Sequence, residues 1–291
     1  MTKIALGTAQ FGMDYGISSQ NLQVNSLEVS NILDFAISNY VDFLDTASTY
    51  GHSEEVLGNA SVNSFNLITK TRHFANDSIM QNDVANLIGD FNNSLISLKC
   101  NNIYGLLIHN ANDLLKPGSK KLFDEMIKFK KNGLVSKVGV SVYNSNQIHQ
   151  IINRFEVDLI QVPINILDRR LIDNGTLKIL FEKGIEVHAR SIFLQGLLLM
   201  DKGSIPTKFN KWTSLWDVWY QWLNDNKISA LEASISFATA IPEISKVLVG
   251  VNSVTQLKGI LNCRNIQLPV LPENFCSNDL ELLNPANWGK L

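Results

Sequence analysis

Asn66-Leu67-Ile68-Thr69-Lys70 and Tyr104-Gly105-Leu106-Leu107-Ile108-His109 are two short, mostly apolar runs, and Val84, Leu87, Ile88, Phe91 and Leu95 recur between them at i, i+3, i+4 spacing. The runs read as strands buried on both faces, and the spacing between them as one face of a helix. Parallel strands need a crossover, usually a helix, so this order argues for a parallel sheet.

The same alternation extends in both directions. Ile4 to Gly7 and Val41 to Leu44 precede it; Val138 to Val142, Leu159 to Asn165, Ile185 to Ala189 and Val247 to Val251 follow. Asn25 with Glu28 reads as a capping box ahead of Val29, Ile32, Leu33, Ala36 and Ile37 on one helix face. Leu122, Phe123, Met126 and Ile127, then Ile148, Ile151, Ile152 and Phe155, repeat the helical period. About eight such units fit an α/β chain folded as a (β/α)8 TIM barrel, typically ~250 residues. A doubly wound sheet is the runner-up, but Gly7, Gly12 and Gly16 have the wrong spacing for its G-x-G-x-x-G turn. No linker or composition shift marks a boundary, so residues 1–291 read as one domain.

With 45% hydrophobic residues the chain is not disordered, and 25 basic against 27 acidic side chains leave no excess to neutralise nucleic-acid phosphates. The longest apolar stretch, Val187 to Met200, is broken by His188, Arg190 and Gln195, which excludes a spanning helix. Met1-Thr2-Lys3-Ile4 runs directly into a strand without a signal peptide's apolar core. Cys100, Cys263 and Cys276 form no CxxC pair; a reduced cytoplasm is the expectation. The scattered His52, His73, His149 and His188 make no metal motif.

Barrels carry their chemistry at the C-terminal ends of strands. Those ends supply Asp45, then Tyr50 in the loop beyond, Lys70 and His109. Singly, each has a structural alternative: a turn cap, a packed loop ring, a solvated lysine, a satisfied core histidine. Four such groups at successive strand ends favour a site.

Asp45-Thr46-Ala47-Ser48-Thr49-Tyr50-Gly51-His52-Ser53-Glu54-Glu55-Val56-Leu57-Gly58 resembles the signature of the aldo-keto reductases. Leu6 to Gly12 resembles that family's opening strand, Leu67 to Lys70 its lysine strand and Leu106 to His109 its histidine strand. Lys131 to Ser141 is similar to a second signature, and Gln161, Ala189 to Leu198 and Val249-Gly250 continue the likeness. The resemblance implies hydride transfer from a reduced nicotinamide cofactor to a small aldehyde or ketone, sugar-like compounds included. Tyr50 is then the proton donor. Lys70 favours its phenolate, Asp45 holds Lys70, and His109 orients the carbonyl.

The resemblance further implies a cofactor bed of Gly7, Thr8, Ala9, Asp45, Ser141 and Gln161. It continues through Arg190, Ser191, Phe193, Gln195 and Gly196 to Gly250, Asn252, Ser253 and Gln256. Arg190 stands where many members stack a tyrosine, Val142 where asparagine is common, and Ile192 where proline is usual. Around the adenosine 2′-phosphate the family often has a basic residue, and Gly250 to Gln256 has none. Family frequency favours NADPH, with NADH as the other candidate. Phe11, Tyr50, His109, Trp212 and Trp216 are the expected substrate contacts; Trp219 and Trp222 read as helix packing. The chain is expected to act as a monomer or homo-oligomer. The rival reading is a nucleotide-binding regulatory barrel with little turnover, which has less need of all four catalytic residues.

Overall fold

Successive strand residues point to opposite faces of a sheet, so a strand buried on both sides can assign one parity to the interior and the other to the helices. In the computed structural model, which describes residues 2–17, 23–263 and 266–291, the strands are β1 (Ile4–Gly7), β2 (Phe43–Asp45), β3 (Asn66–Lys70), β4 (Ile103–Ile108), β5 (Val135–Ser141), β6 (Leu159–Pro163), β7 (Glu186–Arg190) and β8 (Lys246–Gly250). Each pairs in parallel with the next, and β8 pairs back to β1, closing the barrel. This is the (β/α)8 TIM barrel expected from the alternation. Ala5, Phe43, Ile68, Leu107, Leu159 and Leu248 pack together as a separate apolar cluster. The opposite parity, including Ile4, Leu6, Leu44, Leu67 and Leu106, joins the larger core shared with the helices.

Helices of about two turns or more surround the barrel. They are α1 (Ser26–Ser38), α2 (Ser53–Asn59), α3 (Gln81–Leu98), α4 (Lys120–Lys131), α5 (Ser145–Ile152), α6 (Thr176–Glu182), α7 (Thr213–Asn226), α8 (Ala230–Ala240) and α9 (Val254–Asn262). None of the described helices is long and apolar enough to cross a membrane. Strand limits differ from the sequence expectation by up to three residues. β2 ends on Asp45 itself, and β6 stops at Pro163 because the Asn165 side chain accepts from Leu167 and Asp168 N–H and turns the chain.

Three expectations need correction. Asn25 does cap α1, its side chain accepting from the Glu28 N–H, but Glu28 does not close the box. Its carboxylate accepts instead from the Val254 N–H of α9 at 2.8 Å. Trp212 and Trp216 do not reach the cleft, whereas Trp219 and Trp222 pack as expected. Trp212 and Trp216 are buried, with indole N–H groups donating to the Asp279 carboxylate and the Phe209 carbonyl. Trp219 stacks on Phe275 and Trp222, with ring centroids 4.8 and 5.7 Å away. The chain after α9 folds across this face and covers it. Phe11 is likewise fully buried in the core and does not line the cleft.

At the N-terminal end of the barrel the same interior parity carries charge. Glu186 accepts from Tyr104 Oη at 2.7 Å and pairs with Lys137 and His188. Burial works against the carboxylate, but hydrogen bonds from His188, Lys137 and Tyr104 outweigh it and bring Glu186 down to about 2. Burial, with Glu186 beside it, pushes Tyr104 up to about 12. Because Glu186 titrates below its ordinary value of 4.5, its stabilisation is complete above that pH and is lost as pH falls towards about 2. Glu186→Gln should therefore cost about 1–3 kcal/mol at neutral pH and narrow its gap to wild type in acid. Thermal melts from pH 7 to 3 check this; a gap that widens in acid would refute the assignment.

Candidate active site

The interior parity that gives Phe43, Ile68 and Leu107 continues two residues on to Asp45, Lys70 and His109. The site is therefore the last interior layer of the barrel, above its apolar belt. Lys70 is 1% exposed. Its Nζ donates to Asp45 Oδ1 at 2.5 Å and to the Thr46 carbonyl at 2.8 Å. The second Asp45 oxygen accepts from Gln161 Nε2 at 2.7 Å. Burial opposes the Lys70 charge, but Asp45 and then Tyr50 more than offset it, and the ammonium sits above the ordinary lysine range.

Lys70 Nζ lies 5.0 Å from the centroid of the Tyr50 ring, and the His109 ring meets Tyr50 edge to face at 5.8 Å. The Tyr50 loop is held by two glycines. A Cβ on Gly12 would stand 2.1 Å from the Tyr50 carbonyl oxygen, and one on Gly51, whose φ is +55°, 2.3 Å from the Gly12 carbonyl. Only glycines let these two segments touch. His109 Nδ1 shares a hydrogen bond with Thr49 Oγ1 at 3.3 Å. Burial, reinforced by the Lys70 charge, pushes its imidazole down to about 4, so it is neutral at physiological pH.

A cavity of about 940 Å³ opens above this layer. Asp45, Tyr50 and His109 line one end, and Lys70 lies beneath Tyr50. Gly7, Thr8, Ala9, Ser141, Gln161 and Arg190 form its floor and near wall. Ser191, Phe193, Gln195 and Gly196 follow along one side; Gly250 adjoins Gly7 across the β8–β1 pair, and Asn252 and Gln256 stand beyond it at the far rim. Ser253 is set apart from the lining: its hydroxyl caps α9 by accepting from the Gln256 N–H. Ser191, Leu194, Gln195 and Gly196 all have left-handed φ, between 48° and 96°, which curls this segment around the cavity.

Arg190 donates to Ser141 Oγ, Ser191 Oγ and the Val142 carbonyl, and its Cζ lies 4.5 Å from the centroid of the Tyr143 ring. Tyr143 was missed from sequence. The available signal was its position two residues after Ser141 at the C-terminal end of β5. α7 contributes Tyr220 and Leu223 to the cavity rather than its tryptophans. Tyr220 and Leu223 stand one turn on from Trp216 and Trp219, at the edge of the tryptophan stripe.

Residues 3–270 match the aldo/keto reductase family. Over 286 residues the chain is 25% identical to uncharacterized oxidoreductase YqkF of Bacillus subtilis (strain 168), covering 91% of this chain and 92% of that protein. The aldo-keto reductase AKR11C1 of Bacillus halodurans, solved in its holo form, matches with a TM-score of 0.70 and 17% identity over 94% of each chain. The glycerol dehydrogenase AKR11B4 of Gluconobacter oxydans matches with a TM-score of 0.70 and 20% identity, over 92% of this chain and 88% of that one. At these identities the solved structures carry the fold alone.

Two measurements test the site geometry. In NMR titration His109 should protonate near pH 4; a midpoint near 6.5 would contradict its burial beside Lys70. Lys70→Met should destabilise by about 3–5 kcal/mol, because it strands a buried carboxylate. Combined with Asp45→Asn, the total loss should fall short of the sum by at least about 1 kcal/mol. Strict additivity in denaturant unfolding would mean the two charges do not depend on each other.

Proposed function

The chain belongs to the aldo/keto reductase family and is an oxidoreductase of that type, and from this premise we propose that it reduces an aldehyde or ketone to an alcohol with a reduced nicotinamide dinucleotide. The observation that carries the reading is the convergence of Tyr50, the Lys70–Asp45 pair and a neutral His109 at one end of a single cavity. At about 940 Å³ that cavity lies towards the upper end of the ~300–1,000 Å³ usual for ligand sites.

The residues present suit such a cofactor. The segment from Ser191 to Gly196, with left-handed φ at Ser191, Leu194, Gln195 and Gly196, makes a tight turn along the cavity of the kind that can form a concavity for an anion, and so suits a pyrophosphate. Ser141, Gln161 and Arg190 would border the nicotinamide, with the Arg190 guanidinium serving as a flat wall where an aromatic ring is common in the family. When bound, the cofactor supplies a hydride, the electron pair and one hydrogen that the carbonyl carbon needs.

Tyr50 gives its hydroxyl proton to the carbonyl oxygen as that oxygen becomes an alkoxide, and is left as phenolate. The Lys70 ammonium stabilises that phenolate by charge. Asp45 and the Thr46 carbonyl keep the ammonium in place. At neutral pH His109 is not an imidazolium acid; its neutral ring keeps one N–H, a hydrogen-bond donor and not the proton source. With Thr49 on Nδ1, its Nε2 is left to hydrogen-bond the carbonyl oxygen and orient the substrate. Bulk water then reprotonates Tyr50.

Tyr50→Phe should retain dinucleotide affinity while lowering kcat about 100- to 10,000-fold, the range of general-acid contributions. Steady-state assays over a panel of aldehydes and ketones, with calorimetric cofactor binding in parallel, provide the check. A near-normal kcat in this variant would remove Tyr50 from the chemistry.

A further inference from the structure

We propose that this cleft discriminates against a 2′-phosphate, taking NADH in preference to NADPH, and that Glu28 enforces the discrimination. The inference rests on the nicotinamide-nucleotide reading above and deepens it.

The argument begins with charge. Arg190 is the one cationic side chain among the described residues lining the cavity, and the carboxylates of Asp45 and Asp201 share that lining. Arg190 sits at the chemistry end, held by Ser141, Ser191 and the Val142 carbonyl. A pyrophosphate already brings two negative charges into this cleft. A further phosphate adds close to two more and rewards a charged partner strongly.

Among the described residues the far rim offers none. Asn252, Thr255 and Gln256 present amides and a hydroxyl, groups that suit the neutral hydroxyls of a ribose. Leu231, Gly259 and Ile260 beside them make an apolar wall fit for a purine. On the opposite side the Tyr220 hydroxyl is committed to the Met200 carbonyl and Asp201 adds a negative charge. The adenosine therefore belongs against α9.

Behind that rim part of the usual compensation for an anion is already spent. A helix N-terminus attracts phosphate through its unspent N–H groups. Here the Val254 N–H donates to Glu28 Oε1 at 2.8 Å and the Gln256 N–H to Ser253 Oγ at 3.2 Å. The Glu28 carboxylate thus takes, from within the protein, one of the donors that an incoming phosphate would compete for. It repels a second anion there, whereas a 2′-hydroxyl meets no such opposition.

Isothermal titration calorimetry of the full chain with NADH and with NADPH tests this directly. NADH should bind about five- to tenfold more tightly, the scale of one unit charge a few ångströms away in water. Raising the salt concentration should narrow the ratio, because the opposition is electrostatic. Glu28→Gln keeps an acceptor for Val254 but removes the charge, and should shrink the ratio about fivefold. NADPH binding as tightly as NADH in wild type would overturn the inference and leave the reductase reading standing. No binding of either nucleotide would bring down both. A ratio that responds neither to salt nor to Glu28→Gln would overturn the role of Glu28.

Discussion

A lysine ammonium that is 1% exposed is the constraint around which this site is organised. Removing such a charge from water costs several kcal/mol unless partners replace the lost hydration. Asp45 and the Thr46 carbonyl do so from the end of β2, at 2.5 and 2.8 Å. Asp45 must then satisfy its second oxygen, and Gln161 reaches it from β6 across the barrel mouth. Three strand ends are thereby tied together by one requirement. Tyr50 and His109 face this network, so the buried cation supplies the charge beside the phenol and reinforces the burial that keeps the imidazole neutral.

Strand parity makes that arrangement possible. In β3, Ile68 and Lys70 point inward, while Thr69 points outward and donates to the buried Glu54 at 2.5 Å. A slip of one residue would exchange Lys70 for Thr69 and place an ammonium among the helices. The interior therefore has three levels. Charged Glu186, Lys137 and His188 lie at the N-terminal end, the apolar belt from Ala5 to Leu248 in the middle, and Asp45, Lys70, Gln161 and Arg190 at the cavity. The belt keeps water out between the two polar levels, so the upper charges interact in a medium of low dielectric.

Much of this is written in local sequence. Short apolar runs alternating with helical periods need only nearest-neighbour reasoning, and they yield the barrel. Asp45, Lys70 and His109 follow from asking which polar residues end those runs. Tryptophans at helical spacing, by contrast, identify an apolar face without saying what covers it. For Trp212, Trp216 and Trp219 the cover is the chain around Phe209, Phe275 and Asp279. Part of that cover arrives some sixty residues later, beyond the reach of periodicity. Phe11 departs from expectation for a similar reason. It follows β1 closely enough to suggest the cleft, but the one-turn helix Ala9–Gly12 rotates its ring into the core. Tyr143 became legible only once Arg190 had somewhere to stack.

Glu28 shows the same limit at the level of a single hydrogen bond. Three residues after Asn25 it has the spacing to cap its own helix, and local energetics alone would close that box. The barrel brings the start of α9 against α1, where the unpaired Val254 N–H carries a partial positive charge. A carboxylate gains more by meeting that donor than by returning to a half-exposed cap, so the local motif yields to the tertiary one. A helix end is an anion site only while its donors are unspent. With Glu28 and Ser253 on two of its donors, the start of α9 has less to offer a phosphate than a bare helix end, with no substitution among the rim residues themselves.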